Sequence, residues 1–283
     1  MDFLDQKEKY KFIDDLSILE IINLIMSGLT MYNFKQHVAS DIGNHGQYLP
    51  TDNIRSQNYL NKIEAWTKEN QMALNTRKTK YMVINFTQKY KFSTRLSLEN
   101  TRLEEVTECN LLGLSLNNQL TWHNNSEKIV RKANTRMIIL HKLYEFNLPV
   151  EEMVKIYILF IRSVVEYACV VWHSSISNEE SDNIERVQKT ALRIILKSDY
   201  ENYTSGLRIA CLTTLKERRQ KLSLSFAKKC IKSDYNADLF PEIDKMVNTR
   251  LHEKYYVTPA RTERLAKSTI PYLQRMLNEE KME

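Results

Sequence analysis

An acidic pair is the first feature of this sequence that could do chemistry. Asp14 and Asp15 are adjacent, and short aromatic or aliphatic runs flank them over 9–13 and 16–22. We predict two short strands around a tight acidic turn. Mg²⁺ prefers hard oxygen ligands and is usually bound by one or two carboxylates together with substrate phosphates. The pair is therefore a candidate metal site for phosphoryl transfer, in which metal ions stabilise the attacking and leaving oxygens.

Cysteine and histidine give little support to other chemistry. The four cysteines lie far apart without zinc-ligand spacing, so we expect buried thiols in a reducing compartment. Cys169 and His173 are one helical turn apart in an apolar segment, which favours two core residues over a catalytic pair. We expect no secretory signal peptide, and therefore an intracellular protein of the cytoplasm or nucleus.

The predicted secondary structure that must position these groups changes along the 283 residues, from a mixture of strands and helix to mostly helix. A helix is predicted over 57–69, with Leu60, Ile63 and Trp66 on one face. Short apolar runs predict strands, over 80–86, 95–98 and 110–116. From about 122 to 235 helical periodicity dominates, and glycine and proline are scarce at five each. Helices are predicted over 126–146, over 150–173, after a capping box of Ser177 and Glu180, and after a similar one of Thr214 and Glu217.

The segment 153–172 is the most apolar part of the chain, yet charged residues lie inside it. Arg162 and Glu166 are four residues apart, so they can form an ion pair on one helix face. Charges at the centre of a bilayer are costly. The segment is therefore predicted to be a buried helix of a globular domain rather than a membrane span, and no membrane partner is expected.

The helix after Ser177 has an apolar stripe opposite a cationic one. Its apolar residues recur at the helical period, and they are Ile184, Val187, Ala191, Ile194 and Ile195. We name the cationic residues the basic face, and they are Arg186, Lys189, Arg193 and Lys197. The surrounding region 128–232 has 19 Lys and Arg against 11 Asp and Glu, which indicates contact with a polyanion such as nucleic acid. The alternative is a solvated basic surface without a partner. No aromatic residue interrupts the stripe, so base stacking is not indicated there.

Several segments, in order, resemble the end of a reverse transcriptase of non-LTR (LINE-type, jockey-like) retrotransposons. "FIDDLSILEI" (12–21) resembles the Asp-Asp hairpin, and "LNTRKTKYMVINF" (74–86) resembles the palm segment that follows it. "NLLGLSLNNQLTWHNNSEKIVRKAN" (110–134) resembles the palm–thumb junction. The remaining similar segments fall in the thumb helices and the end of the polyprotein, at 156–173, 184–195, 215–230 and 260–278.

The resemblance implies an α+β fold, in which a partial reverse-transcriptase palm of short antiparallel strands and a helix precedes an α-helical thumb. The implied domains are a partial palm over 1–122, a helical thumb over 123–240 and a basic C-terminal tail over 241–283. Asp14 and Asp15 match the catalytic, Mg²⁺-binding pair, and Asp14 is expected to be the stronger direct ligand.

The resemblance also implies how this chain would hold nucleic acid. Lys78 stands in a basic corner before a strand and would contact the phosphates of the incoming nucleotide. Leu112, Gly113 and Leu114 match the segment that steadies the primer end. The basic face matches the thumb that follows a template–primer duplex of RNA or DNA.

One departure from the family predicts the activity of this chain. A working polymerase needs a third carboxylate on an earlier palm strand and a fingers subdomain, and both normally precede the Asp-Asp hairpin. Thirteen residues precede Asp14 here. We therefore expect a truncated RNA-directed DNA polymerase of a mobile element that is inactive alone and retains nucleic-acid binding, unless a partner supplies the missing upstream half.

Three alternatives stay open at this stage. The chain could be a nucleic-acid-binding module without chemistry, or an inert remnant without a selected role. The helical stretch 119–160 is also similar to the N-terminal segment of AlkB-homologue tRNA dioxygenase–methyltransferases. The sequence has no His-x-Asp iron motif among its six histidines and no glycine-rich methyl-donor loop, so that similarity brings no chemistry.

Overall fold

The computed structural model describes residues 51–84, 95–233, 236–243 and 254–280. The chain divides into two compact units, the N-terminal unit Met1–Leu120 and the C-terminal unit Thr121–Glu283. The described residues form many helices and a few short strands, which confirms the α+β class. The predicted acidic hairpin, with Asp14 and Asp15, lies outside the described residues.

The described part of the N-terminal unit has one helix and six short strands. Helix α1, Thr51–Glu69, begins earlier than the predicted residue 57. The strands are β1 Lys80–Tyr81, β2 Ser97–Leu98, β3 Thr101–Arg102, β4 Glu104–Glu105, β5 Glu108–Leu111 and β6 Leu114–Asn117. Strands β2 and β3, and β5 and β6, pair antiparallel, whereas β1 and β4 pair in parallel. The expectation of antiparallel pairing therefore holds for two of these three pairs.

A small leucine cluster holds the described part of this unit together. Its buried residues are Leu96, Leu98 and Leu103, and the half-buried Leu60, Leu74 and Tyr81 pack against them. The Gln57 side chain attaches α1 to β2, because its amide donates to the Ser97 carbonyl at 2.8 Å and its oxygen accepts from the Ser97 N–H at 3.0 Å. Ile63, predicted on the apolar face of α1, is 39% exposed, since the cluster is too small to cover that whole face.

Residues 110–116, predicted as one strand, form parts of two strands instead. Leu111 pairs with Leu114, so Leu112 and Gly113 are the two-residue turn of the β5–β6 hairpin. Both turn residues have positive φ, 47° and 84°, as the tight turns that match strand twist require. Gly113 adopts this conformation without steric cost. The prediction was wrong because apolar periodicity continues through the turn, as the buried Leu114 and Leu116 show.

The described part of the C-terminal unit is built almost wholly of helices. They are α2 His123–Tyr144, α3 Val150–Ile156, α4 Ser163–Glu166, α5 Cys169–Trp172, α6 Asn178–Leu196, α7 Tyr203–Ile209, α8 Leu215–Ile231, α9 Glu263–Ala266 and α10 Thr269–Glu279. The predicted capping box of α6 is confirmed, because Ser177 and Glu180 each bond the other's backbone N–H. Thr214 caps α8 by accepting a hydrogen bond from the Glu217 N–H at 3.1 Å, which is one half of the capping box predicted there.

The helix predicted over 150–173 is interrupted twice. Residues Tyr157–Arg162 form a π-helical segment between α3 and α4, and Ala168 takes a left-handed conformation with φ 47°. The second break lets the fully buried Trp172 donate its indole N–H to the Tyr167 carbonyl at 3.1 Å. Within the described residues, no helix is both long and apolar enough to span a bilayer.

The core of the C-terminal unit lies between α6 and the helices around it. Helix α2 packs along α6, and α8 packs against α5, α6 and α10. The segment predicted as a basic tail therefore includes a packed helix, since Leu273 and Leu277 of α10 are buried. The apolar stripe of α6 faces this core as predicted, with Ile184, Val187 and Ala191 buried.

Candidate nucleic-acid interface

The basic face lies along the side of α6 that points away from the core. Arg186, Arg193 and Lys197 are exposed and Lys189 is half-buried. Arg186, Lys189 and Arg193 recur three and four residues apart within α6, and Lys197 is the C-cap that follows its last turn. At about 1.5 Å of rise per residue, the four cations extend over about 16 Å. This length equals the rise of about five nucleotides of one strand.

Three tyrosines from other elements pack against the basic face. The Lys189 ammonium lies 5.1 Å from the ring centre of Tyr203 in α7, and the Arg193 guanidinium lies 5.6 Å from that of Tyr200. The Lys197 ammonium is closest, 3.8 Å from the ring centre of Tyr144 at the end of α2. Cation–π contacts of this kind fix the direction of a long side chain while leaving its charge in place.

The charges of the basic face are not neutralised by the described residues. None of the four cations forms an ion pair with a carboxylate in the part of the chain that the structure describes. Arg186 donates to the Asn183 amide oxygen at 2.7 Å, and Lys197 approaches the Asn147 amide oxygen at 3.5 Å. Neutral partners orient these cations, so their positive charge stays available to a phosphate.

A groove runs between α2 and the first half of α6, beside the basic face. Its volume is about 660 Å³, and Arg131 of α2 and Arg186 of α6 both line it. The end near the start of both helices is acidic, because Glu127, Glu179 and Glu180 lie there. His123 contacts two of these carboxylates, Glu127 at 3.4 Å and Glu180 at 3.3 Å. A polyanion would therefore approach α6 along its later turns rather than at its N-terminus.

A buried polar network anchors α6 from behind. The Gln188 side chain is fully buried; it accepts from the Tyr157 hydroxyl at 2.7 Å and donates to the Tyr203 hydroxyl and the Thr213 carbonyl, both at 2.9 Å. The Tyr203 hydroxyl donates to Glu185, and burial together with this carboxylate raises the pKa of Tyr203. Tyr203 thus belongs to the network through its hydroxyl, and its ring contacts Lys189 of the basic face.

Glu185 connects this network to the next helix. Its carboxylate accepts hydrogen bonds from the backbone N–H groups of Leu215 at 2.9 Å and Lys216 at 3.2 Å. These are the first N–H groups of α8, which have no partner within their own helix. The position of α6, and with it the basic face, is therefore fixed relative to α8.

Cys169 and His173, the rejected catalytic pair, are both buried as core residues. Burial raises the pKa of the Cys169 thiol to about 12. Burial, together with the nearby cation of Arg219, lowers the pKa of His173 to about 4. The Arg219 side chain is fully buried, and its Nε donates to Nδ1 of His173 at 3.1 Å. These groups stabilise the fold and do not offer a nucleophile.

The predicted ion pair of the apolar segment is confirmed with an extra member. Arg162 lies 3.5 Å from Glu166, and Arg218 of α8 binds the same carboxylate through two hydrogen bonds of 2.7 and 3.1 Å.

Of the four free cysteines, Cys169 and Cys230 are buried as expected, whereas Cys211 is exposed. The prediction of buried thiols was therefore wrong for Cys211, and it holds only in part for Cys109, which is half-buried.

The other predicted site residues lie in the N-terminal unit. Lys78 is exposed in a turn, where its N–H donates to both the carbonyl and the side-chain oxygen of Asn75. Leu112 and Gly113 form the hairpin turn, and the Leu114 side chain is buried beneath it. Among the described residues, no group of three His, Cys, Asp or Glu side chains could hold a metal ion. Magnesium binding by Asp14 and Asp15 stays a prediction.

Comparison of the chain with protein-family models, with curated proteins and with solved structures finds no match. The contacts of the basic face therefore carry the functional argument. The sequence pattern of α6 and its C-cap identified the four cations, but not the tyrosines beside them. Tyr144, Tyr200 and Tyr203 lie before or after α6 in the chain, and no periodic signal within α6 indicates them.

Proposed function

We propose that the C-terminal unit binds nucleic acid through the basic face, as the thumb of a non-LTR reverse transcriptase. The strands and helix α1 of the N-terminal unit would then be the end of its palm. The order of similar segments along the chain supports this family. The helical, basic character of the C-terminal unit is what such a thumb requires, because a duplex is held mainly through its phosphates.

One observation carries the binding proposal. Four cations lie in a row of about 16 Å, neutral groups orient them, and no described carboxylate neutralises them. A row of unpaired cations on one side of a helix can replace the counterions of successive phosphates, and their release drives association. A surface of solvated lysines alone would not need three tyrosine rings to hold it in place.

The polymerase role belongs to the same proposal. Asp14 and Asp15 would bind Mg²⁺, which would supply charge stabilisation for phosphoryl transfer. Two carboxylates without the third ligand would misplace the metal, and a misplacement of about 1 Å can reduce a rate about a hundredfold. We expect these 283 residues alone to bind a template–primer without copying it. Template copying by the purified chain that Asp14→Ala abolishes would contradict this expectation.

The binding proposal is tested with a labelled RNA–DNA duplex and the full 283-residue chain. Affinity is measured by fluorescence anisotropy from about 50 to 200 mM salt. We expect the double variant Lys189→Gln/Arg193→Gln to weaken binding at least tenfold. It should also reduce the slope of log K against log salt by about 1.8, because two phosphate contacts are lost.

The matched control removes two other exposed cations of the same unit. Lys221 and Lys229 of α8 are exposed, and Lys221→Gln/Lys229→Gln changes the net charge by the same amount. We expect this control to change the affinity less than about threefold, because its positions lie off the row of cations. Equal losses of affinity in both variants would mean that net charge, rather than the row of cations, determines binding. An absence of binding at low salt would end the proposal.

A further inference from the structure

We propose that Phe146, beside the end of the basic face, is a stacking site for an unpaired base. The inference rests on the proposed nucleic-acid binding and names its substrate class, a single-stranded segment next to the phosphates held by α6. Phe146 lies in the connection between α2 and α3, and its side chain is 73% exposed. It is the most exposed large apolar side chain among the described residues.

The ring of Phe146 is free to accept a base. It makes no ring contact with any other described residue, whereas the neighbouring Tyr144 ring is covered by the Lys197 ammonium at 3.8 Å. Tyr144 therefore positions the cation, and Phe146 offers the open aromatic face two residues away. Bases stack on aromatic side chains with little regard to sequence, because every base has a π-face.

The connection that carries Phe146 is held in place by its backbone. The N–H of Phe146 donates to the Leu143 carbonyl at 3.1 Å, and the N–H of Asn147 donates to the Tyr144 carbonyl at 3.2 Å. Asn147 takes a left-handed conformation with φ 49°, and Pro149, two residues later, is the N-cap of α3. These bonds fix the backbone that carries the ring, so the connection loses less freedom on binding and the exposed ring can add to affinity.

The positive charges beside the Phe146 ring favour a nucleic-acid base, rather than a protein partner, as its ligand. Lys197 contacts both Tyr144 and Asn147, so the last cation of the basic face adjoins the connection. A strand with phosphates along α6 would reach this point with its next base beside Phe146. Glu145 is the single carboxylate of the connection, and Glu151 and Glu152 follow in the first turn of α3, so a phosphate would approach the ring from the side of Lys197. A cationic row that ends at an open aromatic ring suits single strands.

The test compares single and double strands with the full chain. The probes are a labelled oligothymidylate of about 15 nucleotides and a blunt duplex of about the same length. We expect Phe146→Ala to weaken single-strand binding about tenfold, the loss of one base stack, and to change duplex binding less than about twofold. Phe146→Leu, which keeps an apolar side chain without a π-face, should behave like Phe146→Ala.

Two further variants make the test specific. Phe160→Ala makes the same substitution at a 49% exposed ring in the π-helical segment, and we expect it to change neither affinity. Phe146→Trp should keep single-strand affinity and show quenching of indole fluorescence on binding, beyond that of the three native tryptophans. Unchanged single-strand affinity in Phe146→Ala, or no added quenching in Phe146→Trp, would overturn the stacking site. Duplex binding that still depends on Lys189 and Arg193 would then leave the proposed function standing, whereas no binding to either probe would remove both.

Discussion

The two sides of helix α6 use polar side chains in opposite ways. On the buried side, Glu185 and Gln188 have hydrogen-bond partners from three other parts of the unit. On the exposed side, the cations of the basic face contact tyrosine rings and amide oxygens but no described carboxylate. The buried side is satisfied internally and adds to stability, whereas the exposed side keeps its charge unneutralised, as the proposed nucleic-acid binding requires.

This contrast predicts which substitutions should change the free energy of unfolding and which should change the affinity. A buried polar group that loses its partner keeps the full cost of its desolvation. An exposed cation that is removed returns its position to water at little cost in stability. Substitutions on the buried side of α6 should therefore lower the free energy of unfolding, and substitutions on the basic face should mainly lower affinity.

The largest effect is expected for Gln188→Leu. The substitution leaves the Tyr157 hydroxyl without its acceptor, and it removes a donor from the Tyr203 hydroxyl and the Thr213 carbonyl. We expect a loss of about 4 kcal/mol in the free energy of unfolding, because buried groups without partners cost about 1–3 kcal/mol each. Urea unfolding followed by circular dichroism measures it.

Arg193→Gln is the matched change on the other side of the same helix. We expect it to alter the free energy of unfolding by less than about 1 kcal/mol, since it loses one exposed cation–π contact. A loss as large as that of Gln188→Leu would remove the distinction between the two sides. It would show that the basic face serves the fold rather than a ligand.

Local sequence patterns predicted the parts of α6 that depend on nearby residues. The two stripes follow from the 3.6-residue period, and the Ser177–Glu180 capping box involves residues three apart. The ion pair of Arg162 and Glu166 was accessible for the same reason, because four residues bring two side chains to one helix face. The same local reasoning identified the caps but not how the helices pack.

Features that depend on distant residues were missed. Tyr144 precedes Lys197 by more than fifty residues, so only tertiary packing brings its ring beneath the ammonium. The break at Ala168 reflects the burial of Trp172, which sequence periodicity does not indicate in an evenly apolar segment. The turn at Leu112 and Gly113 was missed because a left-handed leucine has no distinctive sequence pattern.

The free energy of unfolding is expected to vary with pH because of a buried histidine, His173. The pKa of His173 is about 4 in the folded chain, and an unfolded histidine has a pKa of about 6.5. Between these values the unfolded chain binds more protons, so stability falls as the pH drops from about 6.5 to 4 and is unaffected by this group above that window. The full loss is about 3 kcal/mol at pH 4.

His173→Gln isolates this contribution, because it removes the titrating ring and keeps an acceptor for the Arg219 guanidinium. We expect the difference in the free energy of unfolding between parent and variant to shrink by about 3 kcal/mol from pH 7 to pH 4. His141→Gln, at an exposed position of α2, is the matched control for the loss of a histidine. A parent whose advantage over His173→Gln is the same at pH 7 and pH 4 would contradict burial of a neutral imidazole.

The smallest effect concerns the contact between the Tyr144 ring and the Lys197 ammonium. A double-mutant cycle with Tyr144→Leu and Lys197→Met measures the coupling between ring and cation in the free energy of unfolding. We expect about 0.5–1 kcal/mol, the value of an exposed cation–π contact. Tyr144→Leu should also weaken duplex binding about twofold while Lys197 is present, because the cation then loses its fixed direction. With Lys197→Met in place the same tyrosine substitution should leave affinity unchanged, since no cation remains to be oriented. An equal effect of Tyr144→Leu in both backgrounds would mean that the ring contacts the ligand itself, and the tyrosines would then belong to the binding surface rather than to its support.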